Sequence, residues 1–267
     1  MPLLKINDID LYYEQEGVGE DLILIGGLTS DSQVWKSALR ILSKHFRVLI
    51  FDNRGAGKSS VPDYPYTTTM MAKDTLDLMD ALDISHAHIL GHSMGGCIAQ
   101  QIAITAPHRV NKLVVACSRT KISVIANMIF SMRETLQIQG VPITTLAEYV
   151  LPFLFSEQFL KSTTYVNGFI QWTANNPNPQ SLMGYQHQLH AVKTHDISDK
   201  IEYIIAPTLV LAGEEDIVMP AKHAEAFAAS LKNGRFMGFQ QCAHMPHVEY
   251  PKEFAETVLQ FLNNTLD

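Results

Sequence analysis

Cysteine is scarce in this chain: three residues in all, Cys97, Cys117 and Cys242, widely spaced and odd in number. They form neither a disulfide framework nor a metal-ligand pattern, and such usage suits the reducing cytoplasm. Positive charge is also short. Lys and Arg total 20 against 27 Asp and Glu, a net charge of −7, which argues against a broad nucleic-acid-binding face. No apolar run reaches the length of a membrane span. The segment Met1 to Asp8 has no basic stretch followed by an apolar one, so a secretory leader is not expected. Internal repeats, low-complexity tracts and long charge blocks are missing too. What is present is ample core material: 46% apolar and 18% charged residues in a chain of 267. That length suits one large α/β domain, with or without an insertion.

Apolar patterning gives the order of elements. Lys5 to Glu14 alternates around an Asn7-Asp8 turn signal and reads as a hairpin. Leu22 to Ile25, Arg47 to Phe51, Ala87 to Leu90, Lys112 to Cys117 and Pro207 to Gly213 are nearly continuous apolar runs, the mark of strands covered on both faces of a parallel sheet. Helical spacing fills the gaps at about 33–44, 70–83, 97–106 and 221–231. A further strand is expected from Arg235 to Phe239 and a last helix from Pro251 to Asn263, where proline suits a helix start. Between 119 and 196 the alternation stops. That stretch carries Met, Phe, Leu and Ile at helical spacing, interrupted by Gly140, Pro142, Pro152, Gly168 and Asn176-Pro177-Asn178-Pro179. The expected architecture is a mostly parallel sheet with helices on both faces, built from 1–118 and 197–267, with a helical insertion over 119–196.

Gly91-His92-Ser93-Met94-Gly95-Gly96 sits between a strand and a helix. This is the G-x-S-x-G arrangement in which a serine hydroxyl is lifted out of a sharp strand-to-helix turn, the glycines removing side chains that would crowd it. A serine hydroxyl is a weak nucleophile until a base takes its proton and a third group orients that base. In open parallel sheets such groups collect at the carboxyl ends of strands. Asp216 follows the strand ending at Gly213, with Glu214 and Glu215 as rivals. His244 follows the strand ending at Phe239, with His247 as rival. Negative charge formed on a substrate carbonyl oxygen requires preset N–H donors. Met94, next after the serine, supplies one, and Leu28, in the loop Gly26-Gly27-Leu28-Thr29, supplies the other. Arg54, flanked by Gly55 and Gly57, lacks P-loop spacing and reads as packing near the site. Cys97, one helical turn beyond Ser93, reads as a small core residue.

Taken together, Leu24 to Ser30, Phe51 to Ser59, the elbow, Gly213 to Asp216 and Ala243 to Pro251 resemble the α/β-hydrolase superfamily, and within it the esterases and 3-oxoadipate enol-lactonase. The resemblance spans the chain apart from the insertion. It implies a Ser93–His244–Asp216 triad, because the family's histidine is followed by an acidic residue and a proline, here Glu249 and Pro251. It also implies that the insertion caps the strand ends. Many members carry a histidine at the position of Gly26, and this chain does not.

The function expected is hydrolysis of a small carboxylic ester or lactone through an acyl-enzyme, with no metal or organic cofactor. Phe130, Phe153 and Trp172 are candidates for lining an apolar pocket. Arg119, where the chain leaves the strand ending at Cys117, is a candidate for meeting an anionic substrate group. A carbon–carbon hydrolase or cofactor-free peroxidase on the same triad stands as an alternative, as does a ligand receptor with slow hydrolysis. Serine at 93 argues against an aspartyl nucleophile. Oligomeric state is not read from the sequence.

Overall fold

The computed structural model describes residues 3–266. Eight strands form one sheet in the order β1-β2-β4-β3-β5-β6-β7-β8. They are β1 (Leu3–Ile6), β2 (Ile9–Glu16), β3 (Asp21–Ile25), β4 (Arg47–Phe51), β5 (Ala87–His92), β6 (Val110–Ala116), β7 (Thr208–Gly213) and β8 (Gly234–Phe239). β1 and β2 form the expected hairpin, and β2 runs antiparallel to β4. The six strands from β4 to β8 are mutually parallel.

Period-two alternation assigns each strand's side chains to opposite faces. Ile23, Ile25, Ile89, Val115 and Val210 point into one core, beneath the helices α2 (Thr68–Ala81), α3 (Met94–Thr105) and α9 (Ala221–Ser230). Leu22, Leu24, Leu90, Val114 and Leu211 point into the other, beneath α1 (Lys36–Leu42) and the C-terminal helix Pro251–Leu262. A strand buried on both faces therefore needs apolar residues at every position, which is why these runs read as continuous. Each fully buried Leu or Ile side chain contributes about 1.5–3 kcal/mol relative to exposure.

Between β6 and β7 lie five helices: α4 (Val124–Ile138), α5 (Ile143–Leu154), α6 (Glu157–Leu160), α7 (Thr163–Ala174) and α8 (Leu182–Thr194). Two expected interruptions do not occur. Pro152 lies inside the last turn of α5, where it forgoes one backbone bond without ending the helix. Gly168 lies inside α7, and a Cβ there would meet nothing within 4 Å. Gly140 does close α4, with φ +73°, as a left-handed residue after a helix does. After β8 come a short helix, α10 (Pro246–Glu249), and α11 (Pro251–Leu262).

Candidate active site

Ser93 occupies the turn from β5 into α3 with φ 54° and ψ −117°. A non-glycine residue here is strained, and the neighbours show why the strain is held. A Cβ on Gly91 would lie 2.1 Å from the Gly95 carbonyl oxygen, and one on Gly95 would lie 2.0 Å from that of Ile25. The helix can thus approach the sheet only with glycine at both places. The Ser118 hydroxyl fixes the turn further by donating to the Ser93 carbonyl at 2.7 Å.

Three strand ends converge on this hydroxyl. His244, in the loop after β8, places Nε2 3.0 Å from Ser93 Oγ. Its Nδ1 lies 2.7 Å from Asp216 Oδ2 in the loop after β7. The other Asp216 oxygen accepts the Met219 amide at 2.7 Å, so both carboxylate oxygens are held and the group cannot turn away from the imidazole. All three residues are buried. The rivals lie elsewhere. Glu214 and Glu215 are exposed, and Glu215 accepts the Glu157 amide at 3.0 Å. His247 is sealed between Trp35 and His92, with ring centroids 4.7 and 4.4 Å away and neither nitrogen hydrogen-bonded.

The loop after β3 brings Gly27, the residue before Leu28, against the serine: a Cβ on Gly27 would sit 3.2 Å from Ser93 Cβ. The Leu28 and Met94 amides find no acceptor among the described residues. Met94 opens α3, so its N–H is one of the unpaired first-turn donors of a helix. The Phe51-to-Ser59 segment holds this loop in place. Asp52 accepts the Ser32 and Lys58 amides at 2.6 and 2.8 Å, and Asn53 donates to the Gly26 carbonyl at 3.1 Å. Arg54 makes a two-pronged, buried pair with Asp74 at 2.5 and 2.6 Å. Burial lowers the Arg54 pKa, but the Asp74 carboxylate outweighs it and the net direction is upward.

Two supports of His244 are not legible in the sequence. His92 Nε2 donates to the His244 carbonyl at 2.7 Å. Burial, together with the neighbouring His244, pulls the His92 pKa down to about 3, so its ring stays neutral. Glu249 accepts the Ala243 amide at 2.9 Å and also takes the Ser156 hydroxyl, while the His244 amide donates to the Leu154 carbonyl at 3.0 Å. The acidic residue of the Ala243-to-Pro251 motif therefore ties the histidine loop to the helices above it.

Cys97 is buried as expected, but it is not isolated. Burial raises its pKa, and His195, from the far end of the insertion, more than reverses that. His92, Cys117 and His244 bring potential ligand atoms within 4.8 Å of one another. Both His244 nitrogens are already engaged, and burial pushes the Cys117 thiol up and away from the thiolate a metal needs.

A cavity opens above Ser93, between the strand ends and helices α4, α5, α7 and α8. Phe130, Phe153 and Trp172 line it, with Leu146, Val150 and Ile129. Arg119 does not line it, which corrects the expectation from its place after β6. Its guanidinium turns beneath the loop after β7 and donates to the Val218 carbonyl at 3.0 Å. The arginine that reaches the cavity is Arg133, on α4.

A parallel sheet with a serine elbow and a histidine and carboxylate at later strand ends defines an α/β-hydrolase scaffold. The chain belongs to the alpha/beta hydrolase fold family, which matches residues 22–251. It is 26% identical to "Putative carbamate hydrolase RutD" of Azorhizobium caulinodans, over 98% of each chain. Among solved structures it is similar to a hydrolase from Pseudomonas aeruginosa PA01, at TM-score 0.88 and 32% identity, over 98% of this chain and 97% of that one. It is also similar to the enol-lactonase from Burkholderia xenovorans LB400, at TM-score 0.89 and 26% identity, over 98% of this chain and all (100%) of that one. No helix among the described residues is long and apolar enough to cross a membrane.

Proposed function

We propose that this protein is a serine hydrolase that cleaves a small carboxylic ester or lactone through an acyl-enzyme. The observation that carries the reading is the continuous hydrogen-bonded chain from Ser93 Oγ through His244 to Asp216, lying under a mainly apolar cavity. In this reading His244 Nε2 takes the Ser93 proton as Oγ attacks the substrate carbonyl carbon. The Leu28 and Met94 amides receive the oxyanion. His244 then gives its proton to the departing alcohol oxygen, and Asp216 stabilises the imidazolium through Nδ1. Water, deprotonated by the same nitrogen, attacks the acyl-serine; as the bond to Ser93 Oγ breaks, His244 returns the proton to that oxygen and the acid is released. Residues 119–196 act as the cap that shapes the cavity, and a cytoplasmic location fits the three free, buried cysteines.

The carbamate hydrolase similarity favours one further bond. A carbamate presents the same acyl carbon to Ser93, so the same steps apply with an amine or alcohol leaving. The test is labelling by a fluorophosphonate probe together with turnover of short-chain esters and carbamates. The reading expects labelling and multiple turnover, both abolished in Ser93→Ala. Full turnover by Ser93→Ala would overturn it. Labelling without turnover would favour a receptor instead.

A further inference from the structure

We propose that Arg119 is a positioning residue for the triad carboxylate: its guanidinium clamps the turn that carries Asp216, and its charge acts across that turn on the Asp216–His244 pair. For the kinetics this rests on the hydrolase reading; for the charge coupling it stands alone.

Arg119 bridges two of the converging segments. Its carbonyl accepts the Gln100 side-chain amide at 3.3 Å, which fastens it to α3, the helix that begins at the serine turn. Its side chain runs the other way, where Nη2 donates to the Val218 carbonyl at 3.0 Å. Residues 216–219 form neither strand nor helix, so side chains must hold them. Asp216 accepts the Met219 amide at 2.7 Å from within the turn, and Arg119 holds the Val218 carbonyl from outside it. Val218 and Met219 pack on Ala126, in the first turn of α4.

A single carbonyl could be satisfied by a neutral donor. The group supplied is instead a buried cation that no carboxylate pairs with among the described residues. Its Nε is buried with no partner. Such a group is costly to take out of water. Burial lowers the Arg119 pKa, and the Asp216 charge offsets part of that pull. An arginine keeps its own charge throughout.

The other groups around the pair are neutral or turned elsewhere. Cys117, after β6, and Cys242, after β8, stand near the Asp216 charge as thiols that burial pushes up. Burial keeps His92 and His247 uncharged. Glu249 holds the Ala243 amide, while Asp31 and Arg133 share the cavity wall with His244. On the outer side of Arg119, burial and the guanidinium lower the pKa of His223 on α9, beside the exposed Lys222. A positive charge near an imidazole opposes its protonation. Arg119 therefore favours the neutral ring, the form able to take the Ser93 proton.

The test removes the charge with and without the hydrogen bond. Arg119→Gln keeps a donor and Arg119→Met does not. In both, the acidic limb of kcat/KM for a short-chain ester should move to higher pH by about half a unit or more. Arg119→Lys should leave it at the wild-type pH. Plateau kcat should fall about tenfold in Arg119→Met with KM nearly unchanged. The NMR titration of the His244 ring, assigned by its loss in His244→Gln, should move with the limb and needs no turnover. His223→Gln should leave both in place. A limb and a titration unmoved in Arg119→Gln and Arg119→Met would overturn the proposal, as would an equal shift in Arg119→Lys. If no ester turns over while the titration moves, the hydrolase reading fails and the charge coupling stands. Should Arg119→Met not fold, Arg119→Gln carries the test.

Discussion

The floor of the cavity and the helices above it are built to different standards. On the floor, β3, β5 and β7 are buried along nearly their whole length, and the buried pair Arg54 and Asp74 is complete. Above it, α4 has one fully buried residue, Ala126, and α7 has none. Met128 and Met132 of α4 are 66% and 51% exposed. The contrast separates two requirements. In the proposed reaction proton transfer needs atoms fixed to a fraction of an ångström, and the groups assigned to it stand just beyond the strand ends of the sheet. Selecting a substrate needs a surface of given shape and charge, and a loosely buried set of helices meets that need. Floor positions should therefore be costly to change and cap positions cheap.

The largest effect is expected on the floor. Ser93→Ala should lower kcat by at least about 10³-fold with an unchanged circular dichroism spectrum; a smaller loss in steady-state kinetics would detach the elbow from the chemistry. Asp74→Ala should cost about 3–5 kcal/mol by leaving the buried Arg54 only the more distant Asp8 carboxylate, at 3.8 Å, and the Tyr64 hydroxyl, at 2.9 Å. A loss below about 1 kcal/mol in urea unfolding would mean that the pair behaves as a surface contact. Leu90→Ala, between the sheet and α1, should cost about 2–5 kcal/mol, whereas Met128→Ala in α4 should stay within about 0.5 kcal/mol. Similar losses for the two would erase the contrast between floor and cap.

The acid response sharpens the same comparison. His92 and His247 are held neutral by burial beneath the site, His92 down to about 3 and His247 well below its ordinary value. Unfolded histidines take up protons below roughly pH 6.5, while the folded chain resists. The unfolded state then binds more protons, so stability is fullest above that pH and falls as pH drops toward the folded values. The slope is about 1.4 kcal/mol per pH unit for each histidine. His247→Leu, which replaces an imidazole with no hydrogen bonds by an apolar side chain, should flatten the slope by one histidine's share. An unchanged slope in urea titrations at pH 4–7 would remove His247 from this role.

Much of this is legible along the chain because burial on both faces of a parallel sheet forces continuous apolar runs, and because a strained serine turn forces glycine at set spacing. The hairpin, the parallel strands and the serine elbow follow from those local demands, while the choice of His244 over His247 rests on the family resemblance. The insertion is harder to read. Pro152 and Gly168 have the character of breaks yet lie within helices, since a proline near a helix end removes only one bond and tertiary contacts override propensity. Arg119 stands close to a strand end, but its direction depends on the loop after β7. His92 and His247 carry no signal at all, because a neutral imidazole packed against tryptophan and its own neighbours resembles any other histidine in a string of letters.

The sequence by itself determined the order of elements, the elbow and the types of group that could move a proton, since each is dictated by neighbours a few residues away. Only the tertiary structure decided which arginine faces the cavity, which imidazoles stay uncharged and which loops brace His244. Those outcomes depend on what a side chain meets after the chain has closed on itself, and residues far apart in sequence supply that environment.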